Sequence, residues 1–376
     1  MRIQFISNYS KLYGANKVLL LILEYFNSNG YKVSVLLPSK GEMSTALEKL
    51  NITYTIIPFF SSFLYVKKSL KFLSLPILFL LDCIIFPLIL IKINKFKPDL
   101  IYSNTSAENI GILVAKFLNV KHISHIHEFM LLDHGAHFIF GNKAKKKYID
   151  KSNGVIYVTN CVANYVNLGQ PLTHSKIVIY NGLKNNNWAL EEKTLSEQIN
   201  FGIVGILDPG KGQDIAIKYF KEINTKYPDS KLHLYGDKNG KYKKSLINLV
   251  KILNLQENVI FHGFINDVSK IYKEIDILLM FSKSEGFGLV TVEAMLNGVP
   301  VLGYNNAGTS EIIENNVTGI LFNDYQTFNK GFSLLLDKNY YNEIRKNAYK
   351  NAKLKYDVTI FCKKIEHFVN NIYKEN

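Results

Sequence analysis

The sequence predicts an α/β protein built from two Rossmann-like domains. Three observations carry that expectation. Short runs rich in β-branched and aromatic residues alternate with longer amphipathic stretches, the signature of parallel sheets wound through helical crossovers. The alternation occurs as two series, one in each half of the chain. The chain has 376 residues, more than one hydrophobic core usually supports.

The strand-like runs of the first half are 3–7, 32–38, 53–59, 99–104, 122–128, 154–160 and 176–182. Those of the second half are 201–207, 231–237, 259–265, 276–282, 300–306 and 319–323. Between them lie helix-like segments. Segment 15–29 stops at Gly30, and segment 214–227 stops before Pro228. Segment 184–198 is polar and without strand periodicity, so it reads as the linker. The expected domains are 1–183 and 184–358, with a last helix over 359–376 packing back on the first. Ligands of open parallel sheets bind beyond the carboxyl ends of the strands. Two facing sheets would leave a cleft there, so chemistry is sought just after each strand.

Composition narrows the function classes. With 47% hydrophobic and 20% charged residues, the chain is not a disordered one. It holds 45 Lys+Arg against 31 Asp+Glu, a formal charge of +14. Residues 1–180 carry +11 of this and residues 181–376 only +3. Only Arg2 and Arg345 are arginines. Proteins that read base edges lean on arginine, which argues against a nucleic-acid partner. A lysine-rich half suits diffuse attraction to an anionic membrane leaflet; a general lysine-rich bias is the plainer alternative. Cys83, Cys161 and Cys362 are sparse and form no CxxC pattern, as expected in a reducing cytosol. The opening MRIQFISNYS has no long apolar run, so no signal peptide is expected.

Residues 72–81 and 83–91 are uncharged runs split by Asp82, with Pro76 and Pro87 inside. Lys67, Lys68 and Lys71 precede them, and Lys92, Lys95 and Lys97 follow. The length approaches the ~20 residues of a spanning helix. However, the segment lies between two strands of one sheet, and a span would place those strands on opposite sides of a bilayer. A helix packed on the sheet is therefore expected, with a helix dipping into the membrane interface as the alternative.

The strongest site signal is Ser282-Lys-Ser-Glu285-Gly286-Phe287-Gly288-Leu289, followed by Glu293. It follows a strand and opens a helix. Glycines there let the backbone approach a ligand closely, and the N–H groups of Phe287, Gly288 and Leu289 would meet an anion. Two carboxylates beside an anion site make sense if the ligand also carries hydroxyls. A phosphate joined to a sugar satisfies both demands. The second signal is Gly205-Ile206-Leu207-Asp208-Pro209-Gly210-Lys211-Gly212, with a lysine in a glycine-flanked turn after a strand. It nearly spells a Walker A loop, but Gly212 stands where Ser or Thr would hold Mg²⁺. The third signal is histidine: His122, His125, His127, His134 and His137 are five of the nine in the chain. His125 and His127, two apart on a strand, would share a face, and so admit a metal-dependent hydrolase as a rival reading.

These motifs, in this order, resemble a retaining GT-B glycosyltransferase of the family 4 type, the group that includes bacterial polysaccharide-assembly enzymes. Glu285 and Glu293 match the family's E-x7-E motif, and Lys211 matches the lysine of its glycine-rich turn. Asn305 to Glu311, Thr318-Gly319, Val178 to Gly182 and Lys97 to Ser103 match further family patterns. The resemblance covers nearly the whole chain and implies a GT-B architecture of two facing domains, with a nucleotide-sugar domain after an acceptor domain. It implies transfer of a sugar from a UDP- or GDP-sugar to a glycan hydroxyl, without cofactor or metal. Lys211 would neutralise the leaving diphosphate. Gly14, Gly205 and the backbone of Gly286, Phe287, Gly288 and Leu289 would hold diphosphate or sugar. Glu285 would fix sugar hydroxyls, Glu293 the ribose, and Gly263-Phe264 would border the base. His127 would face the donor sugar, with Asn16, Glu128 and Asp133 toward the acceptor. Many relatives carry Arg where this chain has Ile206; Lys283 is one candidate substitute. The basic first half places the acceptor on a lipid carrier at the inner membrane face, as in capsule, O-antigen or exopolysaccharide assembly. A nucleotide-sugar 2-epimerase of the same architecture is the near alternative.

Overall fold

The computed structural model describes residues 1–60, 63–65, 75–138, 141–184, 190, 195, 198–265 and 267–375. For residues 63–65 and 75–79, His134 and His137 it describes the backbone alone. Most of the expected linker 184–198, the lysines at 67, 68 and 71, and the start of the apolar segment at 72–74 lie outside the described residues. The chain divides into two compact units, Met1–Gly182 with Val358–Asn376, and Leu183–Asp357.

The first unit holds β1 (Arg2–Ile6), β2 (Lys32–Leu37), β3 (Thr53–Ile56), β4 (Phe63–Tyr65), β5 (Leu100–Ser103), β6 (Lys121–Ile126), β7 (Ala136–Phe138), β8 (Gly154–Tyr157) and β9 (Lys176–Val178). Seven of them form one parallel sheet in the order β3-β2-β1-β5-β6-β8-β9. Its central strands β5 and β8 are buried at every position, as strands covered by helices on both faces must be. The edge strand β3 exposes Thr53 and Ile56. Strands β4 and β7 pair antiparallel in a separate two-stranded ribbon. The sequence reading missed both, because three residues are too few to show a period of two.

The second unit holds β10 (Asn200–Val204), β11 (Lys231–Tyr235), β12 (Val259–Gly263), β13 (Ile277–Met280), β14 (Val301–Tyr304) and β15 (Ile320–Phe322). They form a parallel sheet in the order β12-β11-β10-β13-β14-β15. Phe201, Phe220, Leu232, Ile277, Leu279, Leu302 and Phe328 are among the residues filling its core. In each sheet the strand order reverses beside its first strand, at β1/β5 and at β10/β13. Such switch points open a crevice at the carboxyl edge. Several strands end earlier than the sequence implied: β6 at Ile126, β9 at Val178 and β10 at Val204. After Val204, for instance, Gly205 turns to φ +151°, outside the β region.

The last helix, Val358–Lys374, belongs to the first unit. Phe361, Cys362, Ile365, Phe368, Val369 and Ile372 fall at helical spacing and are buried. Its partner is the helix Gly14–Ser28. Glu366 accepts hydrogen bonds from the hydroxyls of Tyr25 and Tyr31, each at 2.8 Å. The apolar segment forms the helix Leu75–Phe96, with Pro87 inside it. Ile89 and Ile93 pack it into a core with Ile6, Leu36, Ile101 and Val114. No helix of the described residues is long and apolar enough to cross a membrane.

Candidate active site

In the second unit the carboxyl edge is built by the loops after β10 and β13. Beyond β10 a tight turn, Pro209–Lys211, is opened by Asp208, whose Oδ1 accepts from the Gly210 N–H at 3.1 Å. Gly212 closes the turn at φ +69°. A Cβ there would lie 2.4 Å from the carbonyl oxygen of Phe281, just beyond β13, so only glycine permits this approach. The Lys283 N–H donates to the Gly210 carbonyl at 3.0 Å and joins the two loops further. As a result, Lys211 Nζ and Glu285 Oε2 form an ion pair at 2.6 Å. The two groups the sequence marks most strongly are partners of each other.

The Glu285 loop leads through Gly288, at φ +98°, into the helix Leu289–Leu296. The Gly308 N–H donates to the Glu285 carbonyl at 2.8 Å. A Cβ on Gly308 would lie 2.6 to 2.9 Å from the carbonyl oxygens of Glu285, Gly286 and Phe287. Those carbonyls crowd Gly308. In a planar trans peptide the N–H opposes the C=O, so the N–H groups of Gly286, Phe287 and Gly288 point away from it. The ring of Phe287 is buried against Tyr356, with centroids 5.8 Å apart. Leu289 opens the helix. Glu293, one turn on, accepts from the Tyr272 hydroxyl at 3.1 Å, and Tyr272 is itself buried. At the end of β12, Gly263 takes φ +73° and the Phe264 side chain beside it is 68% exposed.

Ile206 is half-exposed on this edge and offers no charge. Two other cations stand beside the Lys211 turn. Lys283 is exposed and has its backbone tied to Gly210. Lys238, in the loop after β11, pairs with Asp208 at 2.5 Å. Lys238 escaped the sequence reading because only the β10–β11 pairing brings it near; no local motif surrounds it.

In the first unit Gly14 opens the helix Gly14–Ser28 after β1. Asn104, directly after β5, donates from Nδ2 to the Ala15 carbonyl at 3.0 Å. Its Oδ1 pairs with His127 Nε2 at 3.1 Å, just past β6. Asn104 thus ties three strand ends together. The sequence reading missed it, although its position one residue past a strand end was a usable signal. With the amide oriented by Ala15, Oδ1 can only accept, so Nε2 of His127 carries the proton. Its Nδ1 is then a buried lone pair with no partner. Burial holds the His127 pKa down to about 4, so the ring is neutral at physiological pH.

Asn16 and Glu128, both expected on the acceptor side, are engaged within the first unit. Asn16 has no exposed surface. It accepts from the Ser7 hydroxyl and donates to the carbonyls of Tyr9 and Lys11, so it fixes the loop after β1. Glu128 is buried, and its Oε1 accepts from Thr105 Oγ1, Ser106 N and Ser106 Oγ at 2.7 to 2.9 Å. Its Oε2 accepts from the His127 N–H at 3.1 Å. These bonds make it an anchor for the His127 loop. Asp133 Oδ2 accepts from the Phe129 N–H at 2.8 Å within the same loop.

The hydrolase reading needs a metal at His125 and His127. His125 is buried with Nδ1 on the Tyr102 hydroxyl at 2.8 Å, and its ring lies 4.0 Å from that of His127. They belong to no three-ligand group among the described residues. The group found there is His233, His262 and Glu274 in the other unit. It is an internal network: His233 Nδ1 meets His262 Nε2 at 2.9 Å, and Glu274 accepts from Tyr235 at 2.7 Å.

Comparison with known proteins agrees with this geometry. Residues 13–185 match the family described as Glycosyltransferase Family 4, and residues 187–355 match Glycosyl transferases group 1. An uncharacterized glycosyltransferase of Haemophilus influenzae is 30% identical over 232 residues, which cover 58% of this chain and 61% of that protein. An O-antigen biosynthesis glycosyltransferase of Escherichia coli is 33% identical over 138 residues, 35% of this chain and 37% of that protein. The matched stretches therefore span under two thirds of both relatives. The crystal structure of Anabaena HepE in complex with UDP and glucose superposes with a TM-score of 0.82 at 23% identity, over 99% of this chain and 100% of that one.

Proposed function

The chain belongs to the group 1 and family 4 glycosyltransferases, with the GT-B fold of two parallel-sheet domains, and from that premise we propose that it transfers a sugar from a UDP- or GDP-sugar to a hydroxyl of a glycan acceptor. The transfer retains anomeric configuration and needs no metal or other cofactor. The acceptor is a lipid-linked glycan presented at the inner membrane face during surface polysaccharide assembly. The UDP and glucose held by the Anabaena structure make UDP-glucose the first donor to try.

One observation carries the reading: the Lys211–Glu285 pair at the switch point of the second sheet. A cation and a carboxylate held together there match the two halves of a nucleotide-sugar, an anionic diphosphate and a hydroxylated ring. On donor binding, Lys211 turns from Glu285 to the diphosphate and Glu285 turns to the sugar hydroxyls. The amides of Gly286 to Gly288, at the positive end of the Leu289–Leu296 helix, add dipoles to the same charge. In the reaction the bond from the anomeric carbon to the phosphate oxygen breaks. The bond to the acceptor oxygen forms on the same face, and the acceptor proton passes to the departing phosphate. Charge grows on the diphosphate, so pre-placed donors there lower the barrier. His127, neutral and with Nδ1 as a lone pair, is set to accept a hydroxyl rather than to donate a proton. Glu293 receives the ribose, and Phe264 offers its exposed ring to the base.

The test is thermal stability with UDP, GDP, ADP and CMP for the wild type and Glu293→Gln, a change that preserves an acceptor for Tyr272. A nucleotide at about 100 times its Kd adds ~2.7 kcal/mol to the folded state. A shift with UDP or GDP that shrinks in the variant, together with EDTA-insensitive release of UDP or GDP from the matching donor in the presence of acceptor, supports the proposal. No shift with any of the four overturns it.

A further inference from the structure

The helix Leu75–Phe96 is apolar on two sides. One side faces the sheet, where Ile89 and Ile93 are buried and Asp82 turns inward to accept from the Phe60 N–H at 3.1 Å. The other side is open. Leu80, Ile84, Leu88 and Ile91 are 60%, 65%, 48% and 56% exposed. Spacings of four, four and three put them on one stripe. The adjoining helix Ile110–Leu118 adds Leu113 and Phe117, one turn apart and 38% and 66% exposed. The ring of Phe117 lies 5.3 Å from that of Phe86, on the packed flank of the first helix, so the two helices sit side by side. Exposed apolar side chains are ordinary one at a time, but four large ones on one stripe, beside two more on the neighbouring helix, mark an interaction surface.

Charge selects the partner. Lys92, Lys95 and Lys116 stand exposed on the same two helices, and Lys97 follows directly. Asp82, the only acidic residue in either helix, is turned away. A protein interface is typically depleted of lysine around its apolar core. An apolar stripe edged by lysines fits an anionic leaflet, with acyl chains under the stripe and phosphates at the ammonium groups.

We infer that this face seats the first unit on an anionic lipid surface, with the Leu75–Phe96 helix lying in the interfacial plane. The helix cannot cross the bilayer while its inner side remains packed on the sheet. The inference deepens the proposed function by naming the surface that meets the membrane, but lipid binding does not require the chemistry to be right.

The test is co-flotation of the full chain with vesicles of equal phosphatidylglycerol and phosphatidylcholine, beside phosphatidylcholine alone. The wild type is expected to float with the anionic vesicles and to detach as salt rises. Burying a Leu or Ile side chain is worth about 1.5–3 kcal/mol, of which an interfacial seat captures part. Ile84→Glu with Leu88→Glu should therefore weaken flotation at least tenfold. Lys92→Gln with Lys95→Gln should weaken it about fivefold per lysine and flatten the salt dependence. Both double variants should keep the wild-type melting temperature and its UDP shift. If the glutamate variant misfolds, the lysine variant carries the test alone. Absence of wild-type flotation, or flotation unchanged in the variants, overturns the inference. So does a wild-type dimer that the glutamate variant splits, because a second copy would then cover the face. Flotation without any nucleotide shift would instead overturn the proposed function and leave this inference standing.

Discussion

Glu285→Gln separates two roles that the ion pair holds together. In the ligand-free protein the Lys211 ammonium is 2.6 Å from the Glu285 carboxylate, with side chains 32% and 17% exposed. Such a pair lies between an exposed one, worth up to about 1 kcal/mol, and a buried one, whose desolvation can cancel its attraction. Donor binding must break it. Removing the charge on residue 285 while keeping its shape relieves about 1 kcal/mol of competition for Lys211. UDP should then bind about fivefold tighter to Glu285→Gln than to the wild type. Transfer should fall about 10²–10³-fold, because the sugar loses its hydroxyl acceptor in the transition state. Lys211→Met should lose on both counts. Isothermal titration with UDP and single-turnover transfer measure the two effects apart. If Glu285→Gln weakens UDP binding as much as Lys211→Met does, Glu285 holds the nucleotide itself and the division of labour is wrong.

Further outcomes follow from neighbouring geometry. His127 binds its proton more weakly folded, at about 4, than unfolded, at about 6.5. Its stabilising effect is therefore complete above pH 6.5 and is lost as pH falls toward 4, amounting to about 2 kcal/mol lost by pH 5. His127→Asn should show a shallower acid decline in a denaturant titration, and kcat/KM of the wild type should have no limb from this group between pH 6 and 8. Gly308→Ala should push the Glu285–Phe287 carbonyls outward, costing about 1–3 kcal/mol by calorimetry and more than tenfold in transfer. Lys238→Ala, leaving the Lys211 turn in place, should raise the donor KM severalfold with little change in melting temperature if it supplements Lys211 at the diphosphate. An unchanged KM would assign its ion pair with Asp208 a purely local role.

The fold was legible because parallel strands buried on both faces, such as Leu100-Ile-Tyr-Ser103, read as apolar runs that helical segments interrupt. The second-unit site was legible for a related reason. Glycine is forced at Gly212 and Gly288 by positive φ, and such positions leave a mark in the sequence. The first-unit site was harder to read. Asn16 looked available beside Gly14, but its amide is consumed by Ser7, Tyr9 and Lys11, which become its neighbours only when the loop folds. The anchoring of Glu128 was hidden for the same reason, because its partners Thr105 and Ser106 come from another strand end. Local patterns report backbone demands well. Which polar group is already satisfied depends on contacts between strand ends far apart in sequence.

The return of Val358–Lys374 to the first unit sets an order for biosynthesis. The helix Gly14–Ser28 packs against Val358–Lys374, where Cys362 Sγ donates to the Leu21 carbonyl and Glu366 accepts from Tyr25, and this partner is translated only after all of Leu183–Asp357. The second unit is continuous and can close as it leaves the ribosome. The first, begun earlier, must wait with an apolar helix face uncovered. Domains emerging from the ribosome generally fold as units. Here the second unit is complete before the first, and the early unit passes through a stage in which chaperone binding is most favoured. Fusing residues 358–376 directly behind Gly182 would remove that wait and make the first unit a continuous domain.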